Sequence, residues 1–163
     1  MRSTMLNWVA SLALVAAISG CTGIGQLTEA ANPTELYMLT PKSTFSANLP
    51  RINQQIAVIE PTATAAVDTN LIAVQPTPLQ VQYLPGAGWV DRAPLIVQSL
   101  LIESFENSER VPSVGSSAIG LRADYLIATN IREFQAIVKE DLPGQPLVVN
   151  VRLNIKILDA DFD

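Results

Sequence analysis

Twelve consecutive residues near the end of the chain alternate with period two. Leu147, Val149, Val151, Leu153, Ile155 and Ile157 fall on one side, and Val148, Asn150, Arg152, Asn154, Lys156 and Leu158 on the other. Successive side chains of a strand point to opposite faces, so this run predicts a long strand with one apolar face and one largely polar face. Upstream, Asp124 to Lys139 carries Tyr125, Ile127, Thr129, Ile131, Phe134, Ile137 and Val138. That density of β-branched and aromatic residues favours a second long strand over a helix. Asp141-Leu142-Pro143-Gly144 between them has turn chemistry. The pair predicts an antiparallel hairpin that needs a helix on its apolar side.

Shorter elements precede the hairpin. Leu36-Tyr37-Met38-Leu39, closed by Pro41, is a first strand, and Ile56 to Ile59, ended by Glu60-Pro61, is a second. Asn70 to Gln75 carries Leu71-Ile72-Ala73-Val74, a strand of the fully buried type. Leu79, Val81 and Tyr83 alternate with Gln80 and Gln82, giving one dry and one wet face, until Pro85-Gly86-Ala87-Gly88 breaks the run. A helix follows, with Asp91 as N-cap, Pro94 in its first turn and Glu103 and Glu106 on its outer side. Ile96, Val97, Leu100, Leu101, Ser104 and Phe105 form a broad apolar stripe that must lie on a sheet. Arg110-Val111-Pro112 ends the helix and Gly115-Ser116-Ser117 is a loop. The fold class is therefore α+β: a mainly antiparallel β-sheet with one or more helices packed on one face.

The chemistry open to the chain is narrow. Among 163 residues there is one cysteine and no histidine. That removes the usual general base, the Ser/His and Cys/His nucleophile systems, most zinc sites and any internal disulfide. Net charge is −5, and removing the first twenty residues, whose one charged residue is Arg2, makes it −6. A chain this acidic and without a Lys/Arg cluster is poorly suited to tracking phosphates, so nucleic acid is not an expected partner. Hydrophobic residues make up 48% and charged residues 15%, too rich in core formers for a disordered tail.

The single cysteine sits at a telling place. Arg2 supplies a positive start, Leu6 to Ile18 an apolar run broken only by Asn7 and Ser11, and Ile18-Ser19-Gly20-Cys21 follows. Small residues before a scissile bond suit a signal peptidase. With the cysteine immediately after them, the segment resembles the lipobox of bacterial lipoproteins. The resemblance implies a diacylglyceryl group on the Cys21 thiol, cleavage between Gly20 and Cys21, and acylation of the new amino group, with palmitate as the expected acyl chain. More than one such chain gives stable membrane anchoring, at about 0.8 kcal/mol per buried CH2. Residues 1–20 are then a lipoprotein signal peptide. Residues 21–34, with Gly23, Gly25, Asn32 and Pro33, are a flexible tether, and 35–163 is the folded domain. Thr22 stands after Cys21 where an Asp would act as a retention signal in enterobacterial sorting, which points to the outer membrane.

With the lipobox in view, further pieces carry a resemblance. These are Leu36-Tyr37-Met38-Leu39, Ile56-Ala57-Val58-Ile59-Glu60-Pro61, Leu71-Ile72-Ala73-Val74 and Trp89-Val90-Asp91-Arg92-Ala93-Pro94. Downstream come Leu121-Arg122-Ala123-Asp124-Tyr125 and Arg132-Glu133-Phe134-Gln135. The chain resembles the ABC-type transport auxiliary lipoprotein component family, whose members accompany ABC transporters carrying MCE-domain subunits. The resemblance implies a non-enzymatic, periplasm-facing accessory subunit with a membrane anchor. Its partners would be MCE-domain and ABC transporter subunits that move lipids or other apolar solutes. Members usually continue with another strand and a C-terminal helix, so it also implies that this chain is C-terminally truncated. The long final strand lacks a partner on its far side, and an open edge of that length calls for cover.

Read residue by residue, the shared positions are structural. Trp89 at a helix entrance is a staple or core lid, Asp91-Arg92 a cap, and Asp124 a turn or ion-pair residue. Nothing fixes Asp124 and Glu133 at an acid/base separation. No glycine pattern matches a phosphate-cradling loop, and no cofactor or metal set is present in the sequence. The alternative function is a lipoprotein that itself binds a lipid or small apolar ligand, which would need a sizeable apolar cavity between helix and sheet.

Overall fold

The computed structural model describes residues 34–120, 122–139 and 147–160. The leader, Gly20 and Cys21, the tether up to residue 33 and the turn expected at 141–144 lie outside the described residues. The elements in chain order are β1 (Glu35–Tyr37), β2 (Gln55–Val58), β3 (Thr62–Ala63), β4 (Leu71–Thr77), β5 (Gln80–Trp89), α1 (Ala93–Ser108), β6 (Ser113–Ser116), β7 (Tyr125–Val138) and β8 (Leu147–Asp159). A 3-10 turn at Ser117–Ile119 follows β6.

The eight strands form one sheet in which β7 is the axis. β2, β3 and β4 pair in turn along one edge of β7, through Tyr125–Ile127, Asn130–Ile131 and Gln135–Ile137. β8 takes the whole of the other edge, from Tyr125 opposite Asp159 to Val138 opposite Leu147. The α+β class is as expected, but the pairing is more mixed than a mainly antiparallel sheet. The β7–β8 and β4–β5 pairs are antiparallel, whereas β1–β5, β2–β6, β2–β7, β3–β7 and β4–β7 are parallel. β4 reaches β7 only after β5, α1 and β6, a crossover that suits parallel pairing. Local residue patterns do not encode that direction.

β7 carries a bulge. Ile131 lies opposite Leu153 and Glu133 opposite Arg152, so Arg132 is an extra residue. An extra residue shifts the alternation by one. Ile127 and Ile131 before it and Phe134 after it therefore belong to one face, and all three are buried. α1 covers that face. Val67, Ala93, Val97, Ile131 and Phe134 form one core cluster, and Ile56, Val58 and Ile127 a second, with Leu101 packed against both. Gln98 pins the helix down by donating to the Val58 carbonyl (2.9 Å) and to Ser116 Oγ (3.2 Å).

The helix begins one residue later than the Asp91 cap implies. Arg92 is the N-cap and Pro94 lies in the first turn. Asp91 Oδ1 instead accepts from the Arg92 amide (2.7 Å). The Arg92 guanidinium donates to Asp68 and to Glu60, tying the loop before β4 to the helix entrance. Its pKa is raised, chiefly by the hydrogen bond to Asp68, with desolvation opposing.

Four further expectations change. Pro85-Gly86-Ala87-Gly88 does not end β5: the strand runs on to Trp89, with Gly86 at φ +68°. β4 meets it at Ala73 opposite Tyr83 and next at Leu71 opposite Gly88, so the glycine-containing stretch is an irregular bulge. Gly115-Ser116 is strand, not loop, because buried Gly115 lies opposite Ala57 of β2 and below α1. Leu79-Val81-Tyr83 has no dry face: all three are exposed, Leu79 fully. The Leu71–Val74 strand is buried only at Ala73, since α1 lies nearer β2, β6 and the axis.

Thr129 occupies the covered face between Ile127 and Ile131. It is 4% exposed, and its Oγ1 has no hydrogen-bond partner. A buried hydroxyl without a partner carries a desolvation cost of roughly 1–3 kcal/mol. Thr129→Val is expected to raise stability by about 1 kcal/mol, read as a higher urea midpoint at unchanged slope.

Candidate functional site

The acidic residues that could have formed a catalytic pair are structural and far apart. Asp124 accepts from the Gln55 amide (2.6 Å), returns its own amide to the Gln55 carbonyl (2.9 Å), and so fixes the start of β2 against β7. Glu133 forms an ion pair with Arg152 at 2.6 Å and accepts from Asn150. Nine residues of chain along β7 place them about 30 Å apart. Among the described residues no group of three or more Cys, Asp or Glu could hold a metal ion, and no helix is long and apolar enough to cross a membrane.

Trp89 is a core lid. Its ring lies 5.5 Å from that of Phe134 at a tilt of 51°, and it packs on the cluster around Val97 and Ile131. A hollow of about 170 Å3 remains beside this pair, lined also by Val149 and Val151 of β8.

Two of the apolar surfaces left uncovered lie beside the helix-covered core. The first is the row Leu147, Val149, Val151, Ile155 and Ile157 of β8, all exposed, with Val149 at 77% and Ile157 at 69%. This row was expected to be dry. It shares the helix-side face, yet α1 reaches across β7 only as far as Leu153, the one residue of the row packed against the core.

The second is a groove of about 360 Å3 between α1 and the segment leading into β2. The stripe of α1 is wider than the sheet needs. Leu101 and Phe105 face the groove from the helix, and Phe45, Leu49, Pro50 and Ile52 face it from the segment. Four hydrogen bonds stitch the segment to the helix and to Arg110 just beyond its end. The Lys42 amide donates to Ser104 Oγ (3.1 Å), Asn107 Nδ2 to the Lys42 carbonyl (3.2 Å), Arg110 Nη2 to the Ala47 carbonyl (3.1 Å), and the Ile52 amide to the Arg110 carbonyl (3.0 Å). The apolar cavity therefore lies beside the helix rather than between helix and sheet. A cleft of about 440 Å3 on the opposite face of the sheet is lined by Ile59 and Ala128 together with Asn130, Arg132, Asn154 and Lys156. Gly20 and Cys21, the residues expected to be processed and lipidated, lie outside the described residues.

A helix packed on one face of a curled mixed sheet, with apolar surface left open beside it, defines a domain suited to docking or binding. The sequence model of the ABC-type transport auxiliary lipoprotein component family matches residues 37–161, and the chain belongs to that family. Among solved structures it is similar to a crystal structure of a Xanthomonas campestris protein described under family DUF330. The two share 28% identity at a TM-score of 0.66, over 77% of this chain and 68% of that one. It also matches an uncharacterized protein at 15% identity and a TM-score of 0.49, over 80% of this chain and 83% of that one. No curated protein matches it. The family places the protein in the cell envelope as the auxiliary lipoprotein of an ABC-type transport system.

Proposed function

We propose that the protein is a non-enzymatic accessory subunit of an MCE-type ABC transport system that moves lipids or other apolar solutes. It works from a lipid anchor on Cys21, with its folded part facing the periplasm, at the outer membrane. The observation that carries this reading is the family match across residues 37–161, in a chain whose sole cysteine stands at the lipobox position. Residues 1–20 are removed as a signal peptide and residues 21–34 give the domain its reach. That length, if extended, spans roughly 45 Å, enough to let an anchored domain engage a partner standing off the membrane. Docking fits the distribution of polar groups. The ion pairs Arg92–Asp68 and Arg152–Glu133 hold elements together, while the β8 row and the groove beside α1 leave apolar surface open.

Genetic epistasis tests the assignment. Deleting this protein and deleting the permease of the transport system it serves are expected to give the same envelope permeability defect, with the double deletion no worse than either. An additive defect in the double deletion would place the protein outside that system.

A further inference from the structure

The groove beside α1 has a chemical character that selects its occupant. Its volume of about 360 Å3 falls in the range of small-molecule sites, roughly 300–1,000 Å3. Its walls are the side chains of Phe45, Leu49, Ile52, Leu101 and Phe105. The two hydroxyls on the lining are already committed. Ser104 Oγ accepts from the Lys42 amide, and Ser108 Oγ donates to the Phe105 carbonyl (2.6 Å) and accepts from the Arg110 amide (3.2 Å).

One charged residue lines the groove, Arg110. A guanidinium has five N–H donors. Here Nη2 donates to the Ala47 carbonyl, and among the described residues no carboxylate forms an ion pair with it. An apolar groove whose lining carries one cation outside any ion pair complements a molecule with an apolar body and an anionic end. The groove is bounded on one side by a single helix and on the other by the segment hydrogen-bonded to that helix and to Arg110, and its volume of about 360 Å3 has room for one acyl chain. That size suits one chain rather than two.

We infer that this groove binds a single-chain anionic amphiphile, a long-chain fatty acid, with its acyl chain between Phe45, Ile52 and Phe105 and its carboxylate on Arg110. The accessory subunit thereby holds an apolar molecule itself, in addition to docking. The inference rests on the groove alone and survives if the transporter assignment fails.

The test is photolabelling of the full-length protein in its native membrane with a diazirine-bearing palmitate, followed by mapping of the adduct by peptide mass spectrometry. Adducts are expected on the peptides spanning residues 45–52 and 101–111. Ile52→Asp is expected to reduce them at least tenfold with an unchanged thermal melt. Ile52 is 39% exposed and tolerates the charge; if its melt falls, Leu49→Asp, at 40% exposed, replaces it. Arg110→Gln is expected to reduce labelling by the fatty acid but not by the matching diazirine alcohol. Labelling spread over the β8 row, or unchanged in the aspartate variant with a normal melt, would overturn the site. Equal loss with both probes would overturn the role of Arg110 and with it the anionic amphiphile. Preferential labelling by a two-chain diazirine phospholipid would overturn the single-chain assignment.

Discussion

Cys21→Ser is expected to abolish processing and lipidation together. The wild-type protein should reach its mature mass by losing residues 1–20 and gaining acyl groups, whereas the variant should show neither change. The effect is all-or-none because the chemistry needs a thiol nucleophile, and a serine hydroxyl is far weaker at neutral pH. The chain holds one cysteine, so no second thiol can substitute. Intact mass of the two forms, purified from membranes, decides it. A variant that still gains acyl mass would remove Cys21 as the anchor, and two forms without acyl mass would leave the family match as the only support for an envelope role.

Phe134→Ala is expected to be the most damaging single substitution in the described core. Phe134 is 8% exposed, belongs to the cluster with Val67, Ala93, Val97 and Ile131, and stacks at a tilt on Trp89. Truncating a buried phenylalanine costs about 3–5 kcal/mol, and an aromatic pair contributes about 0.5–1.5 kcal/mol beyond its area. Against a total stability of about 5–15 kcal/mol, that loss takes a large share. Urea unfolding should show a much lower midpoint with a similar slope. Val149→Ala is the control, expected to stay within about 0.5 kcal/mol because Val149 is exposed. Equal costs at the two positions would mean that the β8 row is covered and the core is drawn wrongly.

That contrast also marks what could be read from the residues. In sequence the β8 row and the buried positions of β7 look alike, both apolar and periodic. Period two fixes which residues share a face, and β8 keeps it without a break. It does not tell how far a helix reaches across the sheet, so the dryness of Val149 and Ile157 could not be read locally. The bulge at Arg132 was visible in principle. The β7 pattern runs on odd positions through Ile131 and resumes at Phe134, a spacing of three that a strand allows only with an extra residue. The parallel pairings of β2, β3 and β4 with β7 join residues roughly sixty to seventy apart, and nothing in a window of ten reports them. The groove was signalled from one side only. The stripe on α1 includes Leu101 and Phe105, but their partners across the groove, Phe45, Leu49 and Ile52, sit in a stretch with neither strand nor helix pattern. Asp124, read as a turn or ion-pair residue, proved to be a backbone tie at the mouth of β2.

The most direct test of the accessory role is purification of the tagged, full-length protein from chemically crosslinked envelopes, with identification of every subunit that comes with it. Recovery of an MCE-domain subunit together with an ABC permease or ATPase, absent from an untagged control, is the expected result. Recovery of the protein in good yield with none of these subunits enriched over the control would contradict it.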